Sequence, residues 1–127
     1  WTGSDGDTIN NYLLVDDVPA NTTDYVESVV TGQIETFAMT SYTLQTNEGC
    51  VSVIPLAIVQ RVGGTEQVAL GIYENSVGYT GTAQIPSNAW KALRDRKTSR
   101  PDGSDWDSNQ SAIDGINVLI RSEGTYS

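Results

Sequence analysis

The sequence contains no histidine and a single cysteine, Cys50. Without histidine the chain cannot assemble a Ser-His-Asp triad or a Cys-His pair. The absence of histidine also excludes a histidine-based metal site. A single cysteine excludes a zinc site built on paired cysteines. The residue types that remain therefore favour a protein that binds or assembles over an enzyme.

A lone cysteine also excludes a disulfide within the chain. Cys50 comes just before an apolar stretch, which favours a buried free thiol, with a reactive or intermolecular thiol as the alternative. One cysteine does not decide whether the protein resides in an oxidising or a reducing compartment. The chain begins with Trp1 rather than Met, which is compatible with a piece of a longer protein.

Long hydrophobic runs are lacking as well. The longest apolar stretch covers residues 53–59, too few to cross a membrane. The net charge of −9 argues against a nucleic-acid partner. A length of 127 residues suits one domain with one hydrophobic core.

The charges are distributed unevenly along the chain. Residues 1–60 hold eight acidic side chains and no Lys or Arg. Five of the seven basic residues then lie close together, at Lys91, Arg94, Arg96, Lys97 and Arg100. A solvated polar stretch explains this segment, and so does docking of one subunit's basic segment on the acidic surface of another. A short nucleic-acid patch is a third explanation, but such patches carry interleaved aromatic residues and only Trp90 is present.

The sequence is rich in Ser, Thr, Asn and Gly, a composition that suits strands and polar turns. Short segments between turn residues predict strands over 9–15, 25–30, 34–42 and 76–85, and a last strand with Ile116, Val118 and Ile120 facing inward. Residues 86–97 fit a helix or a strand, and the surrounding pattern favours a strand. Residues 100–110 read as a polar loop. These features predict one all-β domain over residues 1–127, an antiparallel β-sandwich of the jelly-roll type.

The centre of the chain has the composition of a hairpin. Residues 51–61 and 66–74 flank Gly63-Gly64, and the second arm alternates apolar and polar residues. The first arm is apolar on both faces, which predicts a strand covered twice or lying against another subunit. Pro55 indicates a bulge or an edge there. Ile54, Leu56 and Ile58 are therefore candidate subunit contacts, together with the basic segment.

Few side chains could carry chemistry. Asp102, Asp105 and Asp107 on one loop could bind calcium, but solvated aspartates in a turn are the commoner explanation and the spacing is not that of an EF-hand. Glu74 beside Tyr73 is the strongest candidate for a glycosidase carboxylate, yet no acid stands in a clearly apolar setting. We therefore expect no cofactor and no enzymatic activity.

Aromatic residues allow a second kind of function. Tyr79, Trp90 and Trp106 could stack on sugar rings, or they could fill the core or a subunit interface. The first arrangement predicts a carbohydrate-binding module. Such a module would be part of a tail or fibre protein and would recognise glycans of a host.

Two groups of motifs support a structural role. The first joins Asn11-Tyr12, the acidic pair Asp16-Asp17 after Val15, and the segment 23–26 that leads into Tyr-Val. The second is Pro101-x-Gly103-x-x-Trp106, followed by Gly115-Ile116. Together they resemble a family of small structural proteins encoded by tailed bacteriophages and their prophages.

The resemblance implies a non-catalytic component of the virion: a capsid decoration protein, a head fibre or a tail accessory domain. It also favours a strand across Trp90. The expected partners are major capsid or tail proteins and further copies of this chain, which would form a homo-oligomer. No nucleic acid and no membrane is expected among the partners.

Overall fold

The computed structural model describes residues 1–16 and 18–124, so Asp17 of the acidic pair lies outside the described residues. The described residues form antiparallel sheets with very little helix, which confirms the predicted all-β class. The strands are β1 (Thr2–Gly3), β2 (Val26–Glu27), β3 (Ile34–Ala38), β4 (Leu56–Val59), β5 (Gln67–Glu74), β6 (Val77–Thr80), β7 (Lys91–Arg94) and β8 (Asn117–Glu123). A 3-10 helix covers Asn11–Leu14, and an α-helix, α1, covers Gln110–Asp114.

The main sheet has the strand order β3-β8-β5-β6. Its centre is the pairing of β5 with β8, in which Leu70 lies opposite Ile120 and Ile72 opposite Val118. Leu70 and Ile72 are fully buried, Leu70 in a cluster with Val59 and Ile120 and Ile72 in a cluster with Trp106 and Ala112. The predicted last strand is confirmed, and Leu119 on its other face is buried as well.

The second layer is a two-stranded ribbon made of β4 and β7. Its inner side chains, among them Ala57, Val59 and Leu93, pack on Leu70 and Ile120 of the main sheet. The ribbon and the main sheet thus enclose the core in a sandwich-like arrangement. A smaller two-stranded sheet joins β1 to β2. The jelly-roll connectivity stays a prediction.

The predicted hairpin around Gly63-Gly64 is wrong. β4 pairs with β7, while β5 lies between β6 and β8. The tight hairpin is instead the β5–β6 connection, where Asn75 and Ser76 both adopt left-handed backbone angles, φ 49° and 64°. A two-residue turn with both φ values positive matches the twist of the strands that it joins. β8 pairs along one edge of β5, and β6 with the bridge from Gln84 to Val68 occupies the other, so β5 has no free edge for β4.

The predicted strand over residues 9–15 is also wrong, because the segment bends into the 3-10 helix. Asn10 is left-handed with φ 58°, which interrupts an extended chain. Asn11 is buried, and its side-chain amide donates to the Trp1 carbonyl and to Glu35 Oε2, both at 3.3 Å. This polar anchor fixes the segment against β3 and leaves Tyr12 and Leu13 exposed.

The remaining segments follow the predictions more closely. The predicted strands at 25–30, 34–42 and 76–85 appear as the shorter β2, β3 and β6, and the strand preferred over a helix for 86–97 appears as β7. Helix α1 begins at the end of the predicted polar loop, where the Asn109 side chain accepts a hydrogen bond from Ala112 N at 3.0 Å. Within the described chain, no helix is long and apolar enough to pass through a bilayer.

Candidate interaction surface

The outer side of the β4–β7 ribbon carries a row of exposed apolar side chains. Ile54 and Leu56 are each 51% exposed and Ile58 is 40% exposed. The intervening residues turn inward, and Pro55 and Val59 are buried. The first arm therefore does have a buried face, as its apolar pattern indicated, while its other apolar face is in contact with solvent.

The basic residues of β7 lie directly beside this row. Leu56 is opposite Arg94 and Ile58 is opposite Ala92. Val53 bridges to Lys97, so the same register places Ile54 opposite Arg96. We call this surface the ribbon face, and it consists of Ile54, Leu56, Ile58, Ala92, Arg94 and Arg96. The three apolar candidate contacts and two of the five basic ones, which are far apart in sequence, thus form one surface.

The backbone of β4 is open along its outer edge. Val53 and Lys97 exchange both hydrogen bonds, at 2.9 and 2.8 Å, and Pro55 O accepts from Asp95 N at 3.1 Å. Because pairing alternates along an antiparallel ladder, the N–H and C=O groups of Ile54, Leu56 and Ile58 point away from β7. No strand of the described chain pairs along that edge. Pro55 has no N–H, but in this register its N–H would have pointed towards β7. The open edge of β4 therefore loses no hydrogen-bond donor.

Lys97 is not part of this surface, because it lies in the interior. It is 2% exposed, with Nζ 3.3 Å from Asp95 Oδ2 and 4.5 Å from the centre of the Tyr79 ring. Its carbonyl accepts a hydrogen bond from Trp106 Nε1 at 3.3 Å. An ion pair and an aromatic face thus compensate the buried ammonium group, and Lys97 stabilises the fold rather than contacting a partner.

Arg100 is likewise engaged within the chain. Its guanidinium donates to both carboxylate oxygens of Glu74, at 2.5 and 3.3 Å. Glu74 is 3% exposed, and the hydrogen bond to this carboxylate raises the pKa of Arg100. The carboxylate singled out as a glycosidase candidate is therefore held in an intramolecular ion pair. Of the basic segment, Lys91, Arg94 and Arg96 are exposed.

The three aspartates proposed for calcium do not converge. Asp102 Oδ1 accepts from Ser104 N at 2.9 Å and from Ser104 Oγ at 2.6 Å, and this side-chain hydrogen bond is the main cause of the lowered pKa of Asp102. Asp107 pairs through its backbone with Cys50. Across residues 1–16 and 18–124, no three His, Cys, Asp or Glu side chains are grouped so as to hold a metal ion.

The predicted aromatic platform is not assembled. Trp106 is 1% exposed and packs with Ile72 and Ala112 in the core, so its assignment as a glycan contact is corrected to a core residue. Trp90 is half-buried against Tyr25, with ring centres 6.1 Å apart. Tyr79 is exposed on one side and has Lys97 over its ring. Core filling, the alternative given for these residues, holds for Trp106.

Sequence reasoning missed one open depression of about 430 Å³ beside α1. It is lined by Tyr42, Leu44, Glu48, Gly49, Cys50 and Ile113. Tyr42 Oη donates to Glu48 at 3.1 Å, and this bond raises the pKa of Tyr42. The side chains of Tyr42 and Glu48 are thus paired with each other, and Cys50 is half-buried.

Comparison of this chain with models of protein families, with curated proteins and with solved structures finds no match in any of the three.

Proposed function

We propose that this protein is a non-catalytic structural component of a tailed-bacteriophage virion, a capsid decoration or accessory protein that binds the particle through repeated contacts. The observation that carries the proposal is the ribbon face. An exposed apolar row lies beside Arg94 and Arg96 on a protein whose net charge is −9. Such a patch of apolar and basic residues suits an interface better than a solvated surface.

The two parts of the ribbon face have different physical roles. Removal of Ile54, Leu56 and Ile58 from water supplies free energy, at roughly 25 cal/mol for each Å² of apolar surface. Arg94 and Arg96 select a partner surface that carries acidic groups and speed the encounter. Arginine in particular holds carboxylates in a fixed geometry, through two parallel hydrogen bonds.

Repetition explains how one small patch suffices for this role. A capsid or tail presents the same site many times, and linked contacts raise the effective concentration of each further one. Modest affinity at a single site then gives stable occupancy of the particle. The resemblance of the segments around Asn11-Tyr12 and Pro101–Trp106 to phage structural proteins supports this class of assembly.

The proposal is tested on particles purified from a lysate of the phage or prophage that encodes this chain. Antibody labelling in the electron microscope is combined with mass spectrometry of the particle subunits. We expect the chain in the particle fraction, with label on the head for a decoration protein or on the tail for an accessory protein. A chain that is expressed but absent from every particle would contradict the proposal.

A further inference from the structure

We infer that two copies of this chain pair edge to edge through β4, in antiparallel register about a two-fold axis at Leu56. The inference rests on the proposed role in assembly. It specifies which strand of one copy contacts the next copy, and in which register. Its basis is the combination of an open backbone edge with a self-complementary row of side chains.

The open edge presents bonding groups at regular intervals. The N–H and C=O groups of Leu56 and Ile58 in β4, and those of Ile54 two residues before β4 begins, point outward, and no other strand of the described chain pairs with them. Such an edge is a template for pairing with another strand. Natural edge strands often avoid this with a lysine or another charge, but the exposed positions of β4 carry only apolar side chains.

The side-chain row reads the same in both directions. In the sequence Ile54-Pro55-Leu56-Ala57-Ile58, the outward residues are Ile, Leu and Ile. A two-fold axis at Leu56 places Leu56 opposite its copy and Ile54 opposite the partner's Ile58. Each of these pairs exchanges both backbone hydrogen bonds, and each brings two apolar side chains together on the ribbon face.

Charge favours this geometry over packing of two ribbon faces against each other. Face-to-face packing would bring the arginines of two copies together in a desolvated interface. Edge pairing instead separates the two β7 strands by three strand spacings, about 14 Å, which exceeds the screening length of about 8 Å at physiological salt. Arg94 and Arg96 then flank a joined apolar row on both sides. The dimer would present this enlarged ribbon face to the particle.

The register is tested by cross-linking of single cysteines in the Cys50→Ser background. Hydrogen-bonded antiparallel partners have Cα atoms about 5.5 Å apart, within the range that a disulfide bridges. Leu56→Cys should therefore form a covalent dimer on mild oxidation. Ile54→Cys alone should not, because its copy lies about 14 Å away along the strands. A mixture of Ile54→Cys and Ile58→Cys chains should cross-link. Equal cross-linking of Ile54→Cys and Leu56→Cys, or none for a folded Leu56→Cys chain, would overturn the register.

A matched pair of substitutions tests the interface without cross-linking. Leu56 and Ile34 are both 51% exposed, both lie on edge strands, and each stands opposite an arginine, Arg94 or Arg121. We expect sedimentation velocity to show a dimer for wild type and for Ile34→Asp. For Leu56→Asp we expect a dimer dissociation constant at least tenfold higher, because two carboxylates meet at the axis. Equal dimer content in the two variants would contradict the inference.

These results also separate the inference from the proposed function. A dimer in solution that is absent from every particle would contradict the virion role and leave the β4 pairing intact. A chain that is present on particles but stays monomeric in solution at high concentration, with no Leu56→Cys cross-link on the particle, would overturn the pairing and leave the virion role intact.

Discussion

Leu56 and Arg94 face each other across β4 and β7, and both side chains are exposed on the outer side of the ribbon. Neither residue is unusual alone, since single exposed leucines and arginines are common on protein surfaces. Their register joins an apolar row to a basic row, and the result is a patch suited to an acidic partner. The residues that form this patch differ from those that stabilise the fold beneath it, and substitutions distinguish the two groups.

Lys97 is predicted to respond to substitution as a core residue. Lys97→Met keeps most of the buried volume, and Asp95 still reaches water, so we expect a loss of about 1 kcal/mol in the free energy of unfolding. Lys97→Glu places a second carboxylate beside Asp95 in a buried site, and we expect a loss of about 4 kcal/mol or more. Urea denaturation measures both values. Similar stability of the two variants would show that Lys97 is in fact solvated.

The Glu74–Arg100 pair is predicted to be a structural ion pair. Glu74→Ala should lower the urea midpoint strongly, since it leaves the guanidinium without its two acceptors. The double variant Glu74→Met with Arg100→Met should recover most of the loss, because two apolar side chains leave no charge unpaired. If Glu74→Ala unfolds at the wild-type midpoint, the pair does not stabilise the fold.

Acid should weaken the contact between α1 and the loop after β3. The Ser41 hydroxyl donates to Asp114, and this bond, followed by that from Gln110, lowers the pKa of Asp114 below its usual 3.8. A lowered pKa in the folded state stabilises the fold above the unfolded value and loses that effect as pH falls through the folded value. Between pH 5 and pH 2, roughly the range in which carboxylates titrate, wild type should therefore lose more stability than Asp114→Asn. Parallel urea midpoints for the two proteins over this range would refute the assignment.

Substitution of Trp106 is predicted to destabilise the fold much more than substitution of Trp90. Trp106→Ala removes a buried ring from the core and should cost about 4 kcal/mol. Trp90→Ala removes a half-buried ring that packs on Tyr25 and should cost about 1 kcal/mol. Thermal unfolding compares them, with Trp106→Phe as a variant that preserves most of the core volume. A cost for Trp106→Ala as small as that for Trp90→Ala would place Trp106 outside the core.

The pattern of the sequence predicts the fold class because alternation and turn residues are local properties. The same information predicts that the first arm is apolar on both faces, so that a second layer or another subunit would have to cover its outer side. It does not predict that β4 pairs with β7, because strand pairing across a long loop depends on the competition for the edges of β5. A local pattern therefore places the hairpin turn at Gly63-Gly64, between two apolar arms. It does not identify the turn at Asn75-Ser76, where both residues adopt left-handed backbone angles.

The candidate site is predicted only in part for a related reason. The five basic residues between 91 and 100 form one cluster in sequence, but alternation along β7 and its continuation sends Arg94 and Arg96 outward and Lys97 inward. Arg100 lies beyond the strand and forms an ion pair with Glu74. The burial of Lys97 depends on the Tyr79 ring and Asp95, and neither contact is visible in the composition of the segment.

Occupancy of the particle by charge variants tests the ribbon face most directly. Arg94→Ser with Arg96→Ser lowers the net charge by two, and Thr22→Asp with Thr46→Asp lowers it by the same amount at exposed positions that are not part of the ribbon face. Quantitative mass spectrometry of purified particles measures the copies bound in each case. We predict at least a tenfold loss of bound copies for the arginine variant and wild-type occupancy for the threonine variant, with both proteins folded. Wild-type occupancy of the arginine variant would contradict the assignment of the ribbon face as the particle-binding surface.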